Sequence, residues 1–210
     1  MSGPNNDKNE LYEELPEVGN RYQGKQKHEF DLRYGPAFDR IRIDNRLKHV
    51  GSSVAAVEIH KIQAALDYSS TREDIAADKV GMIGLSYGGF FTLFAAAADT
   101  RIKAAYSSCF INDRFVYDWP DFTWFNAGNA MPDAEVCGLV CPRPLHLEVG
   151  VRDELFLYEH ARRPLEQVQA LYESLNVKDR LSVAAFDGTH ELDADDRAIE
   201  WFLSAVTGAG

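Results

Sequence analysis

The chain is poor in cysteine, in long apolar runs and in positive charge, and each shortage closes off a class of protein. Three cysteines, Cys109, Cys137 and Cys141, in 210 residues are too few and too odd a set for a disulfide framework, so a reducing cytoplasm is the expected compartment. No His/Cys/Asp/Glu grouping shows the linear spacing of a metal site, and neither a metal nor a cofactor is expected. The longest strongly apolar stretch, around Phe90 to Ala98, falls far short of the roughly 20 residues that cross a bilayer. The first 30 residues hold no hydrophobic signal core, so neither membrane insertion nor secretion is expected. Lys and Arg number 22 against 33 Asp and Glu, a formal charge of −11. That field repels phosphate backbones and anionic headgroups, which removes nucleic acid and membrane surfaces from the expected partners.

What is present is the balance of one globular domain: 45% apolar and 26% charged residues, without an internal repeat or a low-complexity tract. Residues 1–27 show neither the helical nor the alternating period and read as a loose arm, which leaves 28–210 as the domain. Phe30, Leu32 and Tyr34 alternate with Glu29, Asp31 and Arg33, the period of a short strand ending at Gly35-Pro36. Val54, Val57, Ile62, Ala65 and Leu66 recur at helical spacing between Gly51 and Tyr68. Lys79 to Leu85 is a short apolar run without alternation, as in a strand covered on both faces, and Gly88 to Ala98 reads as a buried helix. Ile102 to Ser107 gives a strand, followed by irregular chain up to Pro144. Then come a strand over Leu145 to Val149, a helix over Glu159 to Leu175, a strand over Leu181 to Phe186 and a helix over Ala194 to Val206. Pro164 either marks the first turn of its helix or kinks it. The alternation predicts an α/β fold, a mostly parallel sheet with helices on both faces.

Gly84-Leu85-Ser86-Tyr87-Gly88 matches Gly-x-Ser-x-Gly at the junction of a buried strand and an Ala-rich helix. A serine there occupies a strained backbone that lifts its hydroxyl above the sheet, and Gly84 and Gly88 leave room where a Cβ would collide. The helix after Ser86 points its first amides at the reacting centre, and Tyr87 N–H is the natural oxyanion donor. A serine hydroxyl needs a base to take its proton and an acid to orient that base, in the order acid then histidine, on loops after later strands. Asp153 follows the strand at Leu145 and His190 follows the strand at Leu181. Glu154 competes for the acid role, and Asp153 alternatively caps the next helix. His28, His49, His60, His146 and His160 lack the position or the order.

Seven of the chain's 24 aromatics fall within residues 110–125. Over 108–143 the sequence reads either as an insertion or lid whose Phe110, Trp119 and Trp124 line a substrate pocket, or as a satellite core, or as a partner-binding patch.

On these residues the chain resembles the α/β-hydrolase superfamily, in particular the dienelactone-hydrolase-like and acetyl-esterase-like enzymes that border on the prolyl oligopeptidase catalytic domain. Lys79 to Ser107, Pro144 to Phe156 and Leu181 to Glu191 carry the likeness. The resemblance implies Ser86 as nucleophile, Asp153 as acid, His190 as base, Tyr87 N–H in the oxyanion hole, and a small ester as substrate. Dienelactone hydrolases themselves use cysteine at this turn, so Ser86 points to serine esterases and peptidases. The resemblance also implies strands ahead of the helix at Gly51, and a His-Gly type loop with a second oxyanion donor. Only the segment at Phe30 reads as one of those strands. Completion by a homodimer or a complementing chain is one expectation; a truncated, non-catalytic protein with a binding or assembly role, or a peptidase of prolyl oligopeptidase type, are the alternatives.

Overall fold

The computed structural model describes residues 40–117 and 122–208; the arm at 1–27 and the strand at Phe30 lie outside them. The chain divides into two units, Met1–Ser52 and Ser53–Gly210. In the first, residues 40–48 are helical, and Lys48 Nζ pairs with Asp44 Oδ2 at 2.6 Å, one turn away.

The second unit carries the alternation that the apolar pattern predicts. Helix α1 (Val54–Ser70) leads to β1 (Val80–Leu85), α2 (Tyr87–Ala98) and β2 (Ile102–Ser108). Helices α3 (Ala127–Ala130) and α4 (Asp133–Val140) precede β3 (Leu145–Gly150), and α5 (Tyr158–Ser174), β4 (Leu181–Phe186) and α6 (Asp196–Thr207) complete it. The four strands stand in the order β1-β2-β3-β4, every neighbouring pair parallel. Parallel pairing puts all four carboxyl ends at one edge, and it needs a crossover between successive strands, which the helices supply.

Both faces of this sheet are covered. Leu145, Leu147 and Val149 of β3 join one large core with Phe90 and Leu93 of α2, Val136 and Val140 of α4, and Leu165 and Val168 of α5. On the opposite face Ala104 and Tyr106 of β2 meet Phe202 of α6, with Ile199, Trp201 and Val206 around them. Burial on two sides is why β2 lacks a clean polar alternation; β1, at the end of the sheet among the described residues, departs from the expected strand covered on both faces, with no fully buried residue and Ile83 42% exposed.

Two expectations change and one open alternative narrows. In α1 the buried stripe runs through Ala55, Ile59, Ile62 and Leu66, whereas Val57 is 41% exposed. Positions i, i+4, i+7 and i+11 from Ala55 share one helical face and Val57 lies off it. The stretch before Pro144 is not irregular throughout, because α4 forms there with Pro132 at its start and Asp133 and Glu135 in its first turn. Acidic residues at that end suit the helix dipole. Pro164 lies inside α5 rather than in its first turn, and it is buried against the core.

A buried ion pair holds the aromatic segment down. Arg114 Nε donates to Asp133 Oδ1 at 2.7 Å, and Arg114 Nη1 donates to the Phe122 carbonyl at 3.0 Å. The guanidinium carbon lies 5.3–5.6 Å from the ring centres of Phe90, Phe94, Phe110 and Trp124. Among the described residues Nη2 has no hydrogen-bond acceptor, and the negative faces of four rings face the cation.

Gly81 sets how closely α6 approaches the sheet: a Cβ there would lie 2.3 Å from Val206 Cγ2 and 2.6 Å from Phe202 Cζ. Gly81→Ala is expected to lower the unfolding free energy by about 1–3 kcal/mol through overpacking, measured by urea denaturation. Val206→Ala in the same chain should recover part of that loss; strict additivity of the two changes would show that α6 does not rest on Gly81.

Candidate active site

Ser86 links β1 to α2 at φ 57° and ψ −117°, a backbone region that costs a side-chain-bearing residue about 1–3 kcal/mol. Two hydrogen bonds fix it there: Ser86 N–H donates to the Ser108 carbonyl at 3.0 Å, and Phe90 N–H donates to the Ser86 carbonyl at 2.9 Å. Gly84 is required by the turn itself, since a Cβ would lie 2.2 Å from the Gly88 backbone. Gly88 differs from expectation. A Cβ built on it meets nothing within 4 Å, and the second crowded glycine is Gly89, whose Cβ would lie 2.8 Å from Ser107 Oγ and 2.9 Å from the Ser108 carbonyl. Tyr87 opens α2, which places its N–H among the helix's first amides; its ring lies 4.0 Å from that of Phe122.

Asp153 and His190 meet. His190 Nδ1 lies 2.8 Å from Asp153 Oδ2, while Asp153 Oδ1 accepts from the N–H groups of Leu155 at 2.8 Å and Phe156 at 3.0 Å. The two roles weighed for Asp153 are therefore held together, one carboxylate oxygen organising its own turn and the other taking the histidine. Glu154, its competitor, is exposed. An ionised carboxylate only accepts, so the neutral imidazole carries its proton on Nδ1 and leaves the Nε2 lone pair available. The two loops touch directly, because a Cβ on Gly150 would lie 2.2 Å from the Thr189 carbonyl and Arg152 N–H donates to the Gly188 carbonyl at 2.9 Å.

No hydrogen bond joins Ser86 to His190. The link between them runs through β2: Ser86 N–H is bonded to Ser108, and the next residue, Cys109, lies against the acid–base pair. Cys109 Sγ, a carboxylate oxygen of Asp153 and a ring nitrogen of His190 all lie within 4.8 Å of one another. The thiol is buried and sits 3.3 Å from the Glu191 carbonyl; burial pushes its pKa up. Linear spacing could not show this cluster, because its members follow three different strands.

Sequence reasoning also passed over the polar network beneath His190. Glu148 Oε2 accepts from Tyr106 Oη at 2.6 Å and lies 3.3 Å from His146 Nε2, and His146 Nδ1 lies 2.8 Å from Ser182 Oγ. Glu148 Oε1 accepts from Asp193 N–H at 3.1 Å, and Ser108 Oγ donates to the Glu191 carbonyl at 3.2 Å. Both contacts land on the loop that carries His190. Burial alone would raise the Glu148 carboxyl, but the hydrogen bonds from His146, Tyr106 and the Asp193 amide outweigh it and hold it below the usual carboxylate range.

Aromatic rings border the pair. Phe156 stacks on His190 with ring centres 5.7 Å apart and 15° between planes, and Tyr117 stacks on Phe156 at 4.3 Å. Phe110, expected to line a pocket, is 1% exposed within the main core, so no ring surface is left for a ligand. Trp124 is half-buried and meets Phe94 edge-on at 5.5 Å; Trp119 lies outside the described residues.

Comparison with known proteins places this architecture. A profile of the Prolyl oligopeptidase family matches residues 48–135. A protein of Bacillus subtilis (strain 168) that bears the name hydrolase YtaP is 30% identical over 130 residues, 58% of this chain and 44% of its own. A glucuronoyl esterase from Solibacter usitatus superposes with a TM-score of 0.60 at 18% identity over 74% of this chain and 49% of its own. A carbohydrate esterase family 15 glucuronoyl esterase from Caldicellulosiruptor kristjansonii gives 0.62 at 17% identity over 76% and 51%. The fold is that of the α/β-hydrolases, and the chain spans about half the length of the relatives it matches. Among the described residues no helix is long and apolar enough to cross a membrane.

Because the folded pKa of Glu148 lies below its unfolded one, its contribution to stability is present above the unfolded value, about 4.3, and is lost as pH falls through the folded value. Glu148→Gln should lower stability at pH 7 by about 1–3 kcal/mol, and the gap to the parent should close as the solution is acidified below about pH 4. Thermal melts of both chains from pH 7 to pH 3 test this; a gap that stays constant with pH would show that the carboxylate charge is not what the network holds.

Proposed function

We propose that this chain is the catalytic part of a serine hydrolase that cleaves a carboxylic ester of a small substrate. One observation carries the reading: the Asp153–His190 hydrogen bond at 2.8 Å lies at the same carboxyl edge of the sheet as Ser86, which sits in its strained strand-to-helix turn. The similarity to proteins named as esterases and as a hydrolase supports the same class.

In the proposed reaction His190 Nε2 takes the Ser86 Oγ proton as Oγ attacks the ester carbonyl. Asp153 holds the imidazole in the Nδ1–H tautomer and stabilises the cation that forms. Tyr87 N–H donates to the oxyanion of the tetrahedral intermediate. Collapse breaks the bond to the alcohol oxygen, which receives the proton from Nε2 and leaves. Water then gives a proton to Nε2 and adds its oxygen to the acyl carbon; the second collapse returns the proton to Ser86 Oγ and releases the acid. No cofactor takes part. Phe156 is buried behind His190 and backs its ring, and the half-buried Tyr117 is the aromatic beside the pair with surface left for a small organic acyl or alcohol group. Three free thiols fit a cytoplasmic setting.

Fluorophosphonate labelling and turnover of short nitrophenyl esters, with a prolyl peptide substrate in parallel, test the reading. Labelling should map to Ser86 and disappear in Ser86→Ala, and Asp153→Asn should cut ester turnover by about 10⁴-fold because it reverses the tautomer. Folded protein that neither labels nor turns over would instead have a binding or assembly role, and peptide turnover exceeding ester turnover would move it to the peptidases.

A further inference from the structure

We propose that Cys109, Asp153 and His190 form a binding site for Zn²⁺, and that the bound ion switches off the acid–base pair. The second half of this rests on the hydrolase reading; the binding itself does not.

The three side chains offer a thiol, a carboxylate oxygen and an imidazole nitrogen within 4.8 Å of one another. That donor set is the borderline-soft mixture that Zn²⁺ takes in place of Mg²⁺ or Ca²⁺, whose ligands are oxygens. Tetrahedral zinc with bonds of about 2.0–2.3 Å places its ligand atoms about 3.4–3.6 Å apart. The histidine–carboxylate separation of 2.8 Å would open slightly and the sulfur would close in by about 1 Å to reach that geometry. Three protein ligands leave the fourth position for water, as in open zinc sites.

The surroundings favour such a site. Cys109 sits at φ 47°, in the left-handed region, on the turn after β2. The residues on either side of His190 already pack on it: its thiol lies 3.7 Å from the Thr189 carbonyl and 3.3 Å from the Glu191 carbonyl, contacts that the sulfur would give up as donor on binding the metal. Cys109 and Asp153 are buried, whereas the His190 side chain is 23% exposed, which opens a path for an ion alongside the ring. Asp153 Oδ1 keeps its two backbone donors, so the carboxylate is held in place while Oδ2 changes partner. Binding releases the thiol proton to solvent.

Coordination through either ring nitrogen stops proton transfer. A metal on Nδ1 replaces the bond to Asp153 and shifts the ring proton to Nε2, which then has no lone pair for the serine proton, and a metal on Nε2 occupies that lone pair directly. Zn²⁺ is therefore a reversible inhibitor in this arrangement.

Calorimetric titration of the full chain with Zn²⁺ alone should show one ion bound per chain, with Mg²⁺ giving no heat. Cys109→Ser should weaken binding at least tenfold, and Cys141→Ser should leave it unchanged. Should Cys109→Ser fail to fold, Co²⁺ added to the unaltered chain provides a second measurement: a thiolate-to-cobalt charge-transfer band marks sulfur ligation. No Zn²⁺ binding, binding indifferent to Cys109→Ser, or a Co²⁺ complex without that band overturns the site. Fluorophosphonate labelling of Ser86 should fall in step with zinc occupancy, and undiminished labelling of zinc-saturated protein overturns the inhibition. A chain that never labels even without metal defeats the hydrolase reading while the titration still decides the site.

Discussion

The arrangement at the sheet edge depends on one buried carboxylate. Asp153 is 3% exposed and has three close polar partners, two of them backbone amides of its own turn and the third the imidazole of His190. Removing a carboxylate from water is costly unless its oxygens are satisfied, and here the satisfaction is specific in direction. The two amides lock the carboxyl plane, so the remaining oxygen presents one acceptor at one place, and the histidine can meet it through only one nitrogen at a time. Tautomer and ring placement both follow from that single constraint.

The loop that supplies His190 is held from several directions, which is how a mobile class of structure acquires a fixed side chain. Asp153 takes the ring, Ser108 and Cys109 contact the Glu191 carbonyl, and Glu148 accepts the Asp193 amide from below. Glu148 is in turn fixed by Tyr106 and His146 on the α6 side of the sheet. A net value of about 1–3 kcal/mol for each charge-assisted contact is comparable with the rotational freedom the loop gives up, so the ring is ordered by the sum and by no single bond. The buried network and the acid–base pair are therefore one structure read on two sides of the sheet.

The residues proposed for chemistry were legible because each follows a strand in chain order: Ser86 in its glycine turn, Asp153 three residues after Gly150, His190 four after Phe186. What surrounds them was not. His146 and Glu148 alternate with Leu145, Leu147 and Val149, a pattern that a half-buried strand with a solvent face would also show, yet both polar side chains are buried under α6. Cys109 carries no local signal, since a cysteine closing a strand is most often an inert small apolar residue. The pentapeptide points to Gly88 as crowded, whereas the close approach belongs to Gly84 and Gly89; a motif records which positions stay small and not which neighbour demands it. The aromatic segment is legible as an anomaly, but its meaning needs Arg114, whose charge is surrounded by two rings of that segment, Phe110 and Trp124, and two of α2, Phe90 and Phe94.

The gap between Ser86 and His190 follows from how the two halves of the site are fixed. Ser86 is held by its own backbone, through the bonds to Ser108 and Phe90, so its hydroxyl moves only by rotation about one bond. His190 is held at Nδ1 by Asp153 and stacked on Phe156, so in the proposed reaction closing the gap falls to the serine rotamer. Such hydrogen bonds are commonly long or absent before substrate arrives and tighten in the reacting complex. A carbonyl carbon seated between Oγ and the Tyr87 amide would exclude water from that space, which strengthens the attraction between the developing oxyanion and the amide and between the imidazolium and Asp153 alike. In the proposed reaction the pair at β3 and β4 is assembled in advance, the serine end at β1 would be completed by the substrate, and the oxyanion donor at Tyr87, of a kind worth ~10²–10³ in turnover, would decide how far that completion goes.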